Sequence, residues 1–466
     1  MTIETIRTSE QHVVIVGGGI SGLATAYAIG QRDPAPHVTL IESLPRLGGC
    51  ISASPFGGLR SVDESADAFL VRSPDALDLA RQVNLGSELT EPATGHAYIW
   101  HRRLHAIPTP TILGIPANRS AIMKSPLLST RGKLRAVLEP LMRRGDDMDC
   151  LGTLIRSHFG NEVLERIVDP LVGGIYATDT DHFSLDGMPQ IAALAQRGGS
   201  LMQAAGDALS GRVPGASVFA APLRGMSSLI DALYAAVQNQ GTDVRISSPV
   251  TSIEQPSRGT YLVHTNEATF TADAVVLAIP ARHCAPLVSV VDAEVAKLLA
   301  VAEHASVVMV SLAISRDQWP TNLIGSGYVV PKPVQRAVTA VSFGSNKWKH
   351  WNPLDHSMIL RVSLGRDGVP MHHHDDDALI NLTLADLEHH LGRQFTPHAT
   401  RLTRWIEAFP QYRPGHTQRI NQLENVLATS SPGLILTGAS YRGIGIPACV
   451  QQARVAADRV FDKLDK

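Results

Sequence analysis

Cysteine is scarce in this chain: Cys50, Cys150, Cys284 and Cys449 are the four in 466 residues, they stand far apart, and no CxxC occurs. That scarcity excludes a disulfide framework and a zinc-finger spacing, and it fits reduced thiols in a cytosolic setting. Charge of one sign is lacking too. With 41 basic and 43 acidic residues the formal net charge is -2, without the basic stripe of a nucleic-acid binder. Aromatics make up 5%, which leaves little material for stacking platforms. No apolar run reaches the ~18 residues of a spanning helix, so no transmembrane segment is expected. The opening MTIETIRTSEQ is polar and mixed in charge, unlike a signal peptide. These absences predict a cytoplasmic protein and leave a peripheral membrane contact open. There is no HExxH, no Ser–His–Asp spacing and no paired-carboxylate motif.

What is present concentrates at the two ends. HVVIVGGGISGLATAYAI (His12 to Ile29) reads as a buried parallel strand, a turn with Gly17, Gly19 and Gly22 in G-x-G-x-x-G, and a helix. Such a turn (Gly17, Gly18, Gly19, Ile20, Ser21, Gly22) lets a pyrophosphate approach the backbone at the positive end of the helix. HVTLIES (His37 to Ser43) reads as a second strand ending in Glu42, about 20 residues after Gly22, where an acid accepts a ribose hydroxyl and repels a 2′-phosphate. NADP is thereby disfavoured. At the other end, LILTGASYRGIGIPACVQQARVAAD (434–458) is again strand, glycine-rich turn and helix, with Pro447 suited to a first helical turn.

After Glu42 and Ser43 the chain continues to Arg46, Gly48 and Gly49, an E-x-x-x-R-x-G-G pattern that resembles the flavoprotein amine oxidase superfamily. That resemblance implies FAD, with this segment under the pyrophosphate. It further implies that Gly438, Ile444, Gly445 and Ile446 return to the isoalloxazine, with backbone N–H groups at its N1/O2 edge. Val250 matches the position whose backbone faces the adenine.

Five separated motifs narrow the likeness: GGGISGLATAY, HAIPTPTILGIP (105–116), VDPLVGGIYATDTDHFSL (168–185), TRWIEAFPQYRPGH (403–416) and TGASYRGIGIPACV (437–450). Together they resemble the protoporphyrinogen oxidase family, most of all its soluble Gram-positive and actinobacterial branch. The resemblance implies six-electron oxidation of coproporphyrinogen III to coproporphyrin III in haem biosynthesis. FAD is the cofactor, molecular oxygen the acceptor, peroxide the by-product and ferrochelatase a transient partner. It places a macrocycle-facing backbone carbonyl at Gly174, the one catalytic and substrate-binding position it marks; a helix-breaking loop glycine is the plain alternative. Arg72 matches a stretch near the substrate propionates or is a surface arginine; some relatives carry lysine where Ser73 stands. Trp405 either packs near the flavin or fills a core. The flavin-facing segment after Glu64 covers Ser65, Ala66, Asp67 and Ala68, with Ser65 and Ala66 in place of a Gly-Pro pair.

The expected fold class is α/β, α+β overall: a discontinuous Rossmann-like FAD domain (10–80, 220–285, 400–466), a mixed-sheet substrate domain (81–110, 190–219, 286–399) and a helical subdomain (111–189). Alternatives are protoporphyrinogen IX oxidation, another superfamily activity such as amine oxidation or carotenoid desaturation, and a non-catalytic porphyrin-delivery scaffold. No metal site is expected: MHHHDDDA (371–378) reads as a solvated loop before a helix, with aspartates at its positive end. MRRGDD (142–147) reads as a turn between helices. LRAVLEPLM (134–142), with helical apolar spacing, reads as core or pocket wall.

Overall fold

The first apolar run becomes strand β1 (His12–Val16), and every residue in it is buried. β-Branched side chains on both faces suit a strand covered by helices or sheet on both sides. Helix α1 (Ile20–Ile29), β2 (His37–Ile41), β3 (Asp243–Arg245), β4 (Ala274–Leu277), β5 (Leu434–Leu436) and helix α2 (Ile446–Leu464) complete this layer. The strands lie in the order β3-β2-β1-β4-β5 and all neighbours are parallel. β4 sits between the first and last strands, with Val13–Val16 opposite Ala274–Leu277 and Val275–Leu277 opposite Leu434–Leu436. The glycine turns that follow β1 and β5 therefore leave the same edge of one sheet. The structure, a computed structural model, describes residues 4–6, 11–141, 149–211 and 217–465.

Small residues let α1 and α2 approach closely. Leu23, Ala26 and Ile29 share one core with Val450, Ala453, Ala457 and Val460. The opposite face of the sheet, with Val14, Val16, Val275 and Leu277, packs on Tyr261, Phe270 and Cys284. A second sheet of seven strands runs from Ala399–Gln411 at one edge, through Glu303–Ser315 and Ser357–Leu364, to Tyr98–Trp100 and Leu104–Ala106. It is mixed, because Gly327–Val329 pairs in parallel with Tyr98–Trp100. A third, helical core gathers Leu154, Phe159, Ile167, Val172, Ile191 and Leu201.

Three stretches sit elsewhere than the sequence pattern suggests. Residues 399–411, read with the third cofactor segment, pair with 303–313 along almost their whole length and belong to the seven-stranded sheet. Residues 190–210, read with the mixed sheet, form the helices Pro189–Gln196 and Leu201–Ser210, whose apolar faces enter the helical core. LRAVLEPLM does not bury its leucines: Leu134 is 64% and Leu141 79% exposed, while Ala136 and Glu139 turn inward. Glu139 decides the orientation. Its carboxylate accepts from Leu201 N (2.9 Å) and Ser200 Oγ (2.5 Å) and meets His158 Nδ1 at 2.6 Å. A buried carboxylate without those partners costs more than exposed leucines. The turn read at MRRGDD lies outside the described residues. Asp375 caps the helix Asp376–Leu391, accepting from Ala378 N at 2.7 Å, with Asp376 and Asp377 in its first turn.

One buried ion pair ties the helical layer to the seven-stranded sheet. Arg366, just past Ser357–Leu364, donates to both carboxylate oxygens of Asp169 at 2.8 and 2.9 Å, and Thr180 Oγ1 adds a third bond at 2.8 Å. Asp169 opens the helix Asp169–Tyr176, which carries Gly174. Asp169→Ala leaves a guanidinium that is 4% exposed without its carboxylate, with only the Thr178 carbonyl, among the described residues, still bonded to it. The expected cost is about 3–5 kcal/mol, read as a lower urea midpoint. A loss under about 1 kcal/mol contradicts the role given to the pair.

Candidate functional site

The turn after β1 is shaped by close backbone approach. A Cβ on Gly22 would stand 1.9 Å from the Gly17 carbonyl oxygen, so α1 can pack this tightly only with glycine there. Gly18 N donates to Glu42 Oε2 at 2.7 Å, and Glu42 Oε1 accepts from Leu44 N (2.8 Å) and Ser43 Oγ (3.1 Å). Gly48 N donates to Gly18 O at 2.8 Å, which lays the second loop along the first. Between them the missing side chain of Gly19 faces only Gly49 Cα, 4.0 Å away. The result is a slot floored by backbone at the positive end of α1, where Ile20 and Ser21 begin the helix. Arg46 is exposed and donates to Gly49 O (2.8 Å) and Leu47 O (3.2 Å), so it braces the loop.

The last turn closes on the first. Gly438 stands so that its Cβ would lie 3.4 Å from Ser21 Oγ. Gly445, with φ +109°, caps α2 and meets no atom within 4 Å of a built Cβ. Ile446 is buried, while Ile444 packs on the helical core, as Tyr176 and Val329 do. Val250 comes two residues after Ser248, whose N–H donates to Glu42 O at 2.9 Å, so it lies near the acid that follows β2.

The segment Ser65, Ala66, Asp67 and Ala68 is clamped by the seven-stranded sheet. Arg361 donates to Ser65 O, and Ser65 Oγ donates to Cys50 O. The Asp67 carboxylate accepts from Lys347 Nζ (2.8 and 2.9 Å) and Trp348 Nε1 (3.0 Å). Burial raises its pKa, but the charges of Lys347 and Arg361 and these bonds outweigh that and hold it at about 2. Trp405 Nε1 donates to Glu64 O at 2.9 Å, which brings that ring to the same segment. Beside it Asp63 is 1% exposed and accepts from Met226 N at 2.7 Å. Burial pushes its carboxyl up to about 7 against that bond and the charges of Arg361 and Lys347. Asp63, Lys347 and Arg361 were not singled out by the motifs. The available signal was the lone arginine in the buried strand SMILRVSL.

On the substrate side, Gly174 lies in the last turn of Asp169–Tyr176, not in a loop, and is exposed. The residue four on, Thr178, is outside the helix, so the Gly174 carbonyl has no intrahelical partner. A Cβ there would meet Val329 Cγ1 at 3.0 Å. Arg72 is exposed and reaches Gln190 Oε1 at 3.5 Å.

The family described as "Flavin containing amine oxidoreductase" matches residues 20–461. Among curated proteins the chain is similar to "Coproporphyrinogen III oxidase" of Bacillus subtilis (strain 168), at 32% identity over 96% of this chain and 97% of that one. It is 30% identical to the protein of that name from Staphylococcus aureus (97% and 99% covered). The one from Mycobacterium tuberculosis (strain ATCC 25618 / H37Rv) is 31% identical, with 97% of each chain covered. A crystal structure from Exiguobacterium sp. 255-15 superposes with TM-score 0.87 at 29% identity, covering 99% of this chain and 100% of that one. Cyclohexylamine oxidase from Brevibacterium oxydans IH-35A shares the fold at TM-score 0.68 and 16% identity, with 98% and 100% covered. FAD is the cofactor, and the residues fit it: Gly19 and Gly49 leave backbone free of side chains at the positive end of α1, and Glu42 lies against the same turn.

Asp63 sets a pH dependence of stability. Its folded pKa, about 7, lies above the unfolded value of 3.8. The native state keeps a proton that the unfolded chain loses, so this contribution is complete below pH ~4 and lost as pH rises to ~7. Asp63→Asn has no such proton. Its unfolding midpoint should gain on the wild type as pH rises from about 4 to about 7. Parallel curves for the two proteins contradict the assignment.

Proposed function

The chain belongs to the flavin containing amine oxidoreductase family, and on that premise we propose that it oxidises coproporphyrinogen III to coproporphyrin III. The reaction removes six electrons, with oxygen as acceptor and peroxide as product. One observation carries the reading: the turn bearing Ile444 and the helix end bearing Tyr176 and Gly174 pack on one apolar core. A flavin ring and a flat macrocycle then share one cleft. The likeness to proteins named coproporphyrinogen III oxidase supplies the substrate.

In this reading the positive end of α1 and the backbone at Gly19, Gly48 and Gly49 hold the pyrophosphate. Glu42 accepts from the ribose. The first turn of α2, entered through Gly445, backs the ring edge where charge accumulates. Bound there, FAD supplies a two-electron acceptor that molecular oxygen restores. The Gly174 carbonyl accepts from the pyrrole N–H groups and holds the macrocycle flat, while Val329 and Ile444 keep water from its face. Arg72 attracts a propionate. Ser65 to Ala68 and Trp405 line the flavin. A cytoplasmic location and a transient ferrochelatase contact belong to the same reading; among the described residues no helix is long and apolar enough to cross a membrane.

The test is aerobic turnover with a peroxide assay. Coproporphyrinogen III should yield three peroxides for each coproporphyrin formed, as six electrons require; porphyrin without peroxide contradicts oxygen as acceptor. Gly174→Phe should keep its FAD and lose about 100-fold or more in turnover, because the ring enters the macrocycle's slot. Unchanged turnover in that variant removes Gly174 from the site.

A further inference from the structure

The PQY stretch that ends the strand Ala399–Gln411 has no task in the reading above. Successive residues of an extended chain point to opposite sides, so neighbours can serve two different loops. Gln411 and Tyr412 do so. Gln411 Nε2 donates to Tyr176 O at 3.3 Å and to Phe409 O at 3.0 Å. Tyr176 is two residues past Gly174 in the same helical turn. The Tyr412 hydroxyl donates to Ala439 O at 2.8 Å and accepts from Gly443 N at 2.8 Å. One oxygen thus holds both limbs of the turn that leads into Gly445 and α2. Both side chains are buried, at 4% and 2% exposure. The tyrosine ring is fixed as well: it stacks on His416 at 3.7 Å and 12°, and His416 Nε2 lies 2.7 Å from Tyr441 O in the same turn. The Tyr412 carbonyl accepts from Ser184 N at 2.6 Å.

We propose that Gln411 and Tyr412 are positioning residues that fix the separation between the Gly174 carbonyl and the flavin-edge turn 438–445. The proposal rests on the function given above. Gln411 works on the macrocycle side and Tyr412 on the flavin side, and their common backbone makes the two settings one. A purely structural role would lower stability and leave the flavin's electronics and the balance of kcat and KM untouched. A positioning role divides the effects between the two sides.

The experiment compares Tyr412→Phe and Gln411→Leu holoenzymes. Tyr412→Phe keeps the stacked ring and loses both turn bonds. Its flavin midpoint potential, measured without substrate, should move negative, because N–H groups held at the ring edge stabilise the charge of reduction. Its kcat should fall about 10-fold with KM little changed, the scale of one or two lost hydrogen bonds. Gln411→Leu should keep the wild-type potential and lose about 10-fold in kcat/KM with coproporphyrinogen III. A wild-type potential in Tyr412→Phe overturns the proposal, and so does unchanged kcat/KM in Gln411→Leu. If Tyr412→Phe does not fold, the Gln411→Leu pair of readings decides. If the wild type oxidises no tetrapyrrole, the function above falls, and the substrate-free potential of Tyr412→Phe still decides the flavin side.

Discussion

Strand β4 pairs with both the first and the last strand of the nucleotide sheet, and the site depends on that pairing. Ala274–Leu277 is short, wholly apolar and buried on both faces, as a central parallel strand must be. It sets β1 and β5 two strand spacings apart with their ends level, so the two glycine turns open on the same side. α1 and α2 then pack through alanines, and their C-terminal ends are tied together: Arg32, just past α1, and Asp465, just past α2, bond at 2.7 Å. In the proposed reading, a cofactor held from Glu42 to Gly445 draws on both ends of the chain. The nucleotide layer therefore cannot be assembled from the N-terminal segment alone.

A second constraint is electrostatic. The segment Ser65 to Ala68, which the proposed reading sets against the flavin, is held from the seven-stranded sheet through Arg361, and by Lys347 and Trp348 at the end of the short helix Gly344–Lys347. Arg361 is 4% exposed, so its charge is tolerable only against Asp67 and the Ser65 carbonyl. This joins the two sheets by ion pairs at the place where flavin and substrate should meet. Asp63 lies in the same field and is neutral over part of the physiological range because it is buried more completely than it is paired.

Much of the nucleotide layer was legible because its signals are local. G-x-G-x-x-G, Glu42 and the terminal strand–turn–helix each lie within a short window, and the structure has them as β1, α1, β2, β5 and α2. What escaped depends on distant partners. Residues 399–411 read equally well as a strand of either sheet, and only pairing with Glu303–Ser315 settles which. Leu134 and Leu141 have the spacing of a buried face, but Glu139 has three partners in the core and turns the face around. Arg361 brings its charge to Asp63 only across a 298-residue gap, which no motif spans. Tyr412 lay inside a quoted motif, yet its bond to Gly443 appears only once both turns are folded.

The measurement that tests the account most directly is anaerobic flavin bleaching in the purified holoenzyme, with coproporphyrinogen III and protoporphyrinogen IX compared. The account predicts faster bleaching with coproporphyrinogen III, and recovery of colour with peroxide when air is admitted. A tightly bound flavin that neither tetrapyrrole bleaches would contradict it.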